Sequence, residues 1–104
     1  MSATENTRIA RIILEQMQYG MNRKIILGSW GFNSPTVIER GLRFKVQGRL
    51  HKGYVDVTLN GCDLYDFRLF RATPKRGIVE VDSGTDIYFD SLVEVLNRRI
   101  ETPE

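Results

Sequence analysis

Cysteine and histidine are nearly absent from this chain, which carries one of each among its 104 residues. A disulfide needs two cysteines, so Cys62 cannot form one within the chain, and a lone cysteine fits a reducing cytosol. A structural zinc site usually takes four cysteine or histidine ligands, which Cys62 and His51 cannot supply alone. We therefore expect no metal site and no cofactor.

Long apolar segments are also absent. No run approaches the roughly 20 apolar residues that a membrane-spanning helix requires. Residues 1–8 are polar and do not contain the apolar region of a secretory signal peptide. We expect a cytoplasmic protein without a membrane partner.

Length and composition predict a single domain that covers residues 1–104. The apolar fraction is 41% and the charged fraction is 27%, so the chain has enough apolar residues to form a core. We expect only the two ends, residues 1–6 and 101–104, to be frayed.

Charge is distributed unevenly along the chain. The net charge is +2, yet residues 36–76 carry nine basic against four acidic side chains, and residues 77–104 carry two against seven. This layout bears on possible partners rather than on the fold. The layout need not mean that a charged partner binds. The basic and acidic segments could instead neutralise each other or simply be solvated, because exposed charges contribute little energy.

Three segments alternate apolar and polar residues, which is typical of strands with one buried and one solvated face. They are Leu42–Val46, Tyr54–Leu59 and Leu64–Phe70. Asn60-Gly61 is a strong hairpin signal, because both residues tolerate positive φ. We therefore predict consecutive antiparallel hairpins.

Less regular segments surround these strands. The apolar run Lys24–Trp30 suggests a short strand, and residues 31–35 indicate a loop. Residues 36–40 either extend a strand or cover the core from a loop. Residues 47–53, which include two glycines, are predicted to form a long and mobile connection.

Two amphipathic helices flank the strands. Apolar side chains recur every three or four positions in residues 4–19, and again in residues 87–99, where Tyr88 and Phe89 join the apolar face. A last strand near residues 78–81 precedes the second helix. The predicted fold class is α+β: a four- to five-stranded, mainly antiparallel sheet with an N-terminal and a C-terminal helix packed on one face.

The alternation also assigns side chains to the two faces of the sheet. We expect burial of Phe44, Val57 and Phe67, and a solvent-facing position for Arg43, Asp56 and Arg68. A slip of one residue would exchange the two sets.

Basic and aromatic side chains collect on the solvent-facing side, which we call the open face, and in its adjoining loops. The candidate binding residues are Arg43, Lys45, Arg49, Lys52, Tyr54, Arg68, Phe70, Lys75 and Arg76. Such a surface can hold single-stranded nucleic acid through phosphate neutralisation and base stacking, or it can attract an acidic protein. Cross-strand packing and solvation are the simpler alternative.

No group of residues forms a recognisable catalytic signature. Asp56 and Asp66 could act as an acid–base pair or hold magnesium, but pairing with basic side chains of the open face is the simpler interpretation. Cys62 has no histidine nearby in the sequence, and His51 lacks the context of a catalytic triad. We expect the protein not to be an enzyme.

Trp30 and Phe32 lie in a segment rich in glycine, serine and asparagine. Trp30 either closes one end of the core or is an exposed anchor for a protein partner. The core position is favoured, because a large exposed indole reduces solubility.

Four segments resemble a family of small phage and prophage proteins without assigned function. They are Ile13–Met17, Leu42–Val46, Val57–Tyr65 and Ile87–Leu92. The resemblance implies a small accessory protein of a mobile element, working in the cytoplasm of a bacterial host cell. It implies no catalytic residues.

Function by binding is the expectation that these features share. The favoured partner is a host or phage protein, or a protein assembly, as for an inhibitor of a host system. The alternative is single-stranded nucleic acid bound on the open face.

Overall fold

The structure is a computed structural model that describes residues 3–18 and 23–100. Within these residues, five strands form one antiparallel sheet in which each strand pairs with its neighbours in sequence. The elements are α1 (Ala3–Gln18), α2 (Arg23–Ser29), β1 (Asn33–Ile38), β2 (Gly41–Gln47), β3 (Lys52–Leu59), β4 (Tyr65–Thr73), β5 (Gly77–Ile87) and α3 (Leu92–Ile100). The predicted α+β class is confirmed.

The register of the central strands confirms the predicted core face. Phe44 lies opposite Val55, and Val57 lies opposite Phe67, so their side chains point to one side of the sheet. Each is at most 3% exposed. Burial of such a side chain contributes about 1.5–3 kcal/mol. Helices α1 and α3 complete this core with Ile9, Ile13, Met17, Leu92, Leu96 and Ile100.

Trp30 belongs to this core and is 0% exposed. Its Nε1 donates a hydrogen bond of 2.7 Å to Asn97 Oδ1, which satisfies the polar atom of the indole. The half-buried Phe32 packs on Phe44, with ring centroids 4.6 Å apart. The core interpretation of Trp30 is therefore confirmed, and this side chain cannot serve as an exposed anchor.

The apolar run predicted as a strand is instead a helix, α2. The helix is followed by Gly31, which adopts a φ of 67°. The N–H of Gly31 donates to Gly28 O at 3.0 Å, and the N–H of Phe32 donates to Leu27 O at 3.2 Å. These two bonds form a Schellman motif, which ends a helix at a left-handed glycine.

Strand β1 occupies part of the segment that we expected to be a loop. Pro35 is tolerated there because an outer strand leaves one row of backbone N–H groups without a ladder partner. The register shifts between Asn33 and Thr36, where Ser34 has a φ of 56°, so the strand carries a bulge. Of the residues left open between strand and loop, 36–38 belong to β1, as one alternative predicted, and 39–40 form the turn to β2.

The last strand is longer, and the last helix shorter, than predicted. Pairing with β4 carries β5 through residues 83–86 as far as Ile87, and α3 begins after a further turn. The carbonyl of Ser91 accepts the first helical hydrogen bond at 3.0 Å. Tyr88 and Phe89, expected on the apolar helix face, lie in the connection and are 65% and 59% exposed.

The connection between β3 and β4 is a hairpin, as predicted. Its left-handed residue is Asp63, with a φ of 59°, rather than Asn60 or Gly61. Asn60 instead organises the loop, because its Oδ1 accepts hydrogen bonds from the N–H groups of Cys62 at 2.8 Å and Leu64 at 3.2 Å. This arrangement is typical of asparagine in turns.

Some predictions fall wholly or partly outside the described residues. Residues 3–6 form the start of α1, whereas residues 1–2, 19 and 101–104 lie outside the described part. The fraying of both ends and the single domain stay predictions. None of the described helices is long and apolar enough to span a membrane.

Candidate binding surface

Phe70 is buried at the centre of the open face, although we expected it to be exposed. The guanidinium carbons of Arg43 and Arg68 lie 5.1 and 4.7 Å from its ring centroid. The Tyr54 ring stacks beside it, with centroids 5.2 Å apart. These neighbours leave Phe70 only 2% exposed, so a nucleic-acid base has no access to its ring.

Asp56 is the anionic centre of the same layer. Its two carboxylate oxygens accept hydrogen bonds from Arg43 Nε at 2.7 Å and Arg43 Nη2 at 3.0 Å. Arg68 Nη2 lies 3.7 Å from the same carboxylate. This confirms the cross-strand pairing of Asp56, but the residue is only 9% exposed, because the arginines cover it. The expectation that Asp56 points freely to solvent is therefore wrong.

Asp66 does not join this network. Its Oδ1 accepts hydrogen bonds from Asn60 Nδ2 at 2.9 Å and from the N–H of Asp86 at 3.1 Å. Within the described residues, none of the salt bridges involves Asp66, so the predicted pairing with a cation of the open face is wrong for this residue. Asp66 stabilises the adjacent turn instead.

Arg43 and Arg68 are structural parts of the open face. The hydrogen bonds to Asp56 raise the pKa of Arg43 further above its already high value. Replacing both arginines by glutamate would place new carboxylates beside Asp56 and would uncover Phe70. Such a variant would test the stability of the sheet, so it cannot isolate a binding contribution.

The remaining predicted cations collect at one end of the sheet, which we call the basic end. The β2–β3 connection and the β4–β5 turn both lie there, because Gln47 pairs with Lys52 and Thr73 pairs with Gly77. Lys45 is exposed at this side of the open face, with Nζ 5.3 Å from the Tyr54 ring centroid. The basic end carries the exposed cations Arg49, Lys52, Arg71, Lys75 and Arg76.

The β2–β3 connection, expected to be mobile, is attached to the end of α3. The N–H groups of Leu50 and His51 donate to the Ile100 carbonyl at 2.8 and 3.3 Å. His51 is 1% exposed, and Nε2 donates to the Tyr54 carbonyl at 3.1 Å. Burial, which is the main cause, and nearby Arg71 together lower the pKa of His51. His51 is therefore a neutral structural residue at the base of the basic end.

A groove of about 530 Å³ lies on the β4–β5 hairpin at the basic end. Its lining residues are Arg71, Thr73, Pro74, Lys75, Arg76, Val79 and Val81. The sequence interpretation included Lys75 and Arg76 but missed Arg71 and the two valines. The available signal was that the apolar pattern of β5 begins directly after a basic turn.

Exposed apolar side chains occur at this end of β5. Val81 lines the groove and is 47% exposed, whereas Ile78, which is 62% exposed, alternates with Val79 and is not among the lining residues. Tyr88 and Phe89 form a second exposed apolar pair after the far end of β5. Val81 and Tyr88 are seven positions apart, so the two pairs lie towards opposite ends of β5. The hairpin end combines exposed apolar surface with a groove and clustered cations.

Potential metal ligands do not cluster in the described residues. In the ranges 3–18 and 23–100, no three histidine, cysteine, aspartate or glutamate side chains come close enough to hold a metal ion. Cys62 is an exposed free cysteine. The absence of enzymatic activity stays a prediction.

Comparisons with known proteins assign no family. No family model, curated protein or solved structure matches this chain. The resemblance to phage and prophage proteins stays a prediction, and the surface has to be interpreted from its own geometry.

Proposed function

We propose that this protein acts by binding another protein through the groove-bearing end of its β4–β5 hairpin. The observation that carries the proposal is the exposure of Val81, together with the half-buried Val79, in a groove with a basic rim. An apolar patch bordered by polar groups is typical of protein interaction sites, because its burial against a partner is favourable.

The centre of the open face contributes less to this proposed function. Arg43, Asp56 and Arg68 already satisfy one another, and Phe70 is covered. A partner docking there would have to desolvate a completed ion-pair network, which yields little net energy. Lys45, Arg49, Lys52 and Tyr54 lie outside the lining of the groove, and the three cations among them add positive charge to the same end of the sheet, where charge accelerates association.

The biological setting of the proposal follows from the sequence resemblance. A small accessory protein of a mobile element would meet host proteins in the cytoplasm of a bacterial cell. Binding by a compact protein without its own chemistry suits an inhibitor or a component of an assembly. The proposed partner is therefore a host or phage protein.

Single-stranded nucleic acid is the second candidate partner. It is favoured by the clustering of cations at the basic end, and by Lys45 beside the half-buried Tyr54 ring. Phosphate neutralisation would make such binding steeply salt-dependent, with a loss of several orders of magnitude between low and physiological salt for many contacts.

A pull-down from bacterial lysate tests the proposal when wild-type protein is compared with matched variants. Val81→Asp places a charge in the groove, whereas Val37→Asp places one on the opposite outer strand, where Val37 is 45% exposed. We expect a partner whose affinity falls at least tenfold, about 1.4 kcal/mol, with Val81→Asp and stays unchanged with Val37→Asp.

Two outcomes contradict the proposal. The first is a partner that both variants retain equally, which would remove the hairpin end from the interface. The second is tight, salt-dependent binding of a labelled oligothymidine by the wild type, lost on reversal of Lys75 and Arg76, with no protein partner recovered. Circular dichroism confirms that each variant is folded before binding is compared.

A further inference from the structure

The cations of the groove lack intramolecular counterions. Within the described residues, none of the salt bridges involves Arg71, Lys75 or Arg76. The nearest acidic residues of β5 are engaged elsewhere. Glu80 Oε1 lies 3.9 Å from Arg68 Nε on the open face, and Asp82 Oδ2 accepts a hydrogen bond of 2.5 Å from Arg99 Nη1 of α3. The groove therefore presents three positive charges without neutralisation.

The floor of the groove is aliphatic. Val79 is half-buried and Val81 is 47% exposed, and Pro74 adds a further apolar surface at the turn. No aromatic side chain is among the described residues that line it. Nucleic-acid bases would find no ring to stack on, whereas aliphatic side chains of a peptide would bury apolar area against the valines.

The lining residues follow the hairpin end, which suits an extended chain. Val79 and Val81 both line the groove on β5, and the register shift opposite Leu69 and Phe70 makes Val81 the extra residue of a bulge. Arg71 lies on β4 opposite Val79 and the other two cations lie in the turn, so positive charge borders the groove at the turn end of the hairpin.

We infer that the groove binds an extended acidic segment of a partner protein. Aliphatic side chains of that segment lie against Val79 and Val81, and its carboxylates face Arg71, Lys75 and Arg76. This inference rests on the proposed function and specifies the chemical class of the partner segment. Charge complementarity supplies its selectivity, because a basic or uncharged segment leaves the three cations unpaired.

Three synthetic peptides test this inference directly. Each is labelled with fluorescein and has eight residues: glutamate alternating with leucine, lysine alternating with leucine, and glutamate alternating with serine. Fluorescence anisotropy with the full chain measures the Kd of each. We expect the glutamate–leucine peptide to bind at least tenfold more tightly than the other two, because it alone combines carboxylates with aliphatic side chains.

Two pairs of variants locate the bound peptide. Arg76→Glu and Val81→Ser should each weaken the glutamate–leucine peptide at least tenfold. Their matched controls are Arg11→Glu on the exposed side of α1 and Val37→Ser on β1, which should leave the Kd within twofold. Thermal unfolding of all four variants confirms that the fold is retained.

The outcomes separate this inference from the proposed function. Equal binding of all three peptides, or equal effects of the groove variants and their controls, overturns the inference. Tighter binding of an oligothymidine that Arg76→Glu abolishes, with no peptide bound, also overturns it in favour of nucleic acid. Concentration-dependent dimerisation that Val81→Ser removes assigns the groove to a second copy and overturns it as well. If the lysate partner still depends on Val81 while no acidic peptide binds, the inference fails and the proposed function stands.

Discussion

The surroundings of His51 disfavour a positive charge on its ring. Burial is the main cause that lowers the pKa of His51 below its ordinary value of 6.5, and Arg71 lowers it further, whereas the Tyr54 carbonyl opposes both effects. The carbonyl can only accept, so Nε2 carries the hydrogen of the neutral ring. Nδ1 has no hydrogen-bond partner in the described part of the chain. Protonation would place a buried charge beside a guanidinium.

We predict that acid weakens the folded state through His51. In the unfolded chain the ring takes up a proton near pH 6.5, whereas the folded chain does so only at lower pH. Between the two pKa values the unfolded state binds more protons, so the free energy of unfolding decreases as the pH falls. The stabilisation that neutral His51 gives to the folded state is fully present above pH 6.5 and declines as the pH falls below that value. Urea unfolding at about pH 7.5 and about pH 5 measures the change.

His51→Gln is the matched control for this prediction. Glutamine can donate the same hydrogen bond to the Tyr54 carbonyl, but it does not titrate. Because His51 is the one histidine of the chain, the carboxylates that titrate at acidic pH are common to both proteins. The variant should lose less stability between the two pH values, and an equal loss would contradict the prediction.

Side-chain burial on the core face could be predicted, but burial on the open face could not. The burial of Phe44 and Phe67 follows from the alternation of apolar and polar residues, because a period of two assigns each side chain to one face of the sheet. Phe70 is covered by Arg68 of its own strand and by Arg43 of β2, and Asp56 is covered by the same two arginines from the strands on either side of it. Sequence spacing within one strand contains no information about that cross-strand cover.

At the scale of the element, α2 shows how a short segment can be misassigned. Its run Lys24–Leu27 contains β-branched residues, which favour strands, and seven residues are too few for helical periodicity to become clear. The motif at Gly31 sets where the helix ends. The last strand was underestimated for a related reason: Tyr88 and Phe89 mimic a helical apolar face although strand pairing extends to Ile87.

Two glycines near the end of α2 should respond oppositely to substitution by alanine. Gly28 is an exposed helical residue, and a Cβ there would meet no atom within 4 Å. Gly28→Ala should raise the free energy of unfolding by about 0.5–1 kcal/mol, because alanine favours helix. Gly31 has a φ of 67°, and an added Cβ would lie 3.2 Å from Gln47 Cβ. Gly31→Ala should lower the free energy of unfolding by about 1–2 kcal/mol.

Urea unfolding midpoints of the two alanine variants decide this prediction. The variants differ by the same methyl group and lie three residues apart, so each is the control for the other. A shift in the same direction for both would show that the Schellman motif does not determine the end of α2.

For the whole molecule, topology brings together residues that the sequence separates. The β2–β3 connection and the β4–β5 turn meet at one end of the sheet because hairpins follow one another in antiparallel order. Given the correct strands, the clustering of Lys52, Lys75 and Arg76 could be predicted. The groove could not be predicted from the sequence, because it depends on how far β4 and β5 extend beyond the helices.

The core between sheet and helices should dominate the stability of the molecule. Leu92 is 1% exposed in α3, so Leu92→Ala removes buried methyl groups and leaves a cavity. We expect a loss of about 2–5 kcal/mol in the free energy of unfolding. Ile78→Ala removes a comparable aliphatic group from a site that is 62% exposed, and should cost less than about 0.5 kcal/mol. Similar urea midpoints for the two variants would contradict the assigned core.

The order of the strands also has a consequence for folding rates. Each strand pairs with its neighbours in sequence through short connections, so closing each hairpin costs little chain entropy. The hydrogen bond from Trp30 to Asn97 and the bonds from residues 50–51 to the Ile100 carbonyl join distant parts of the chain. Since such contacts are the slowest to meet, the sheet should assemble before α3 docks. The loss caused by Leu92→Ala would then appear mainly as faster unfolding, with folding nearly unchanged.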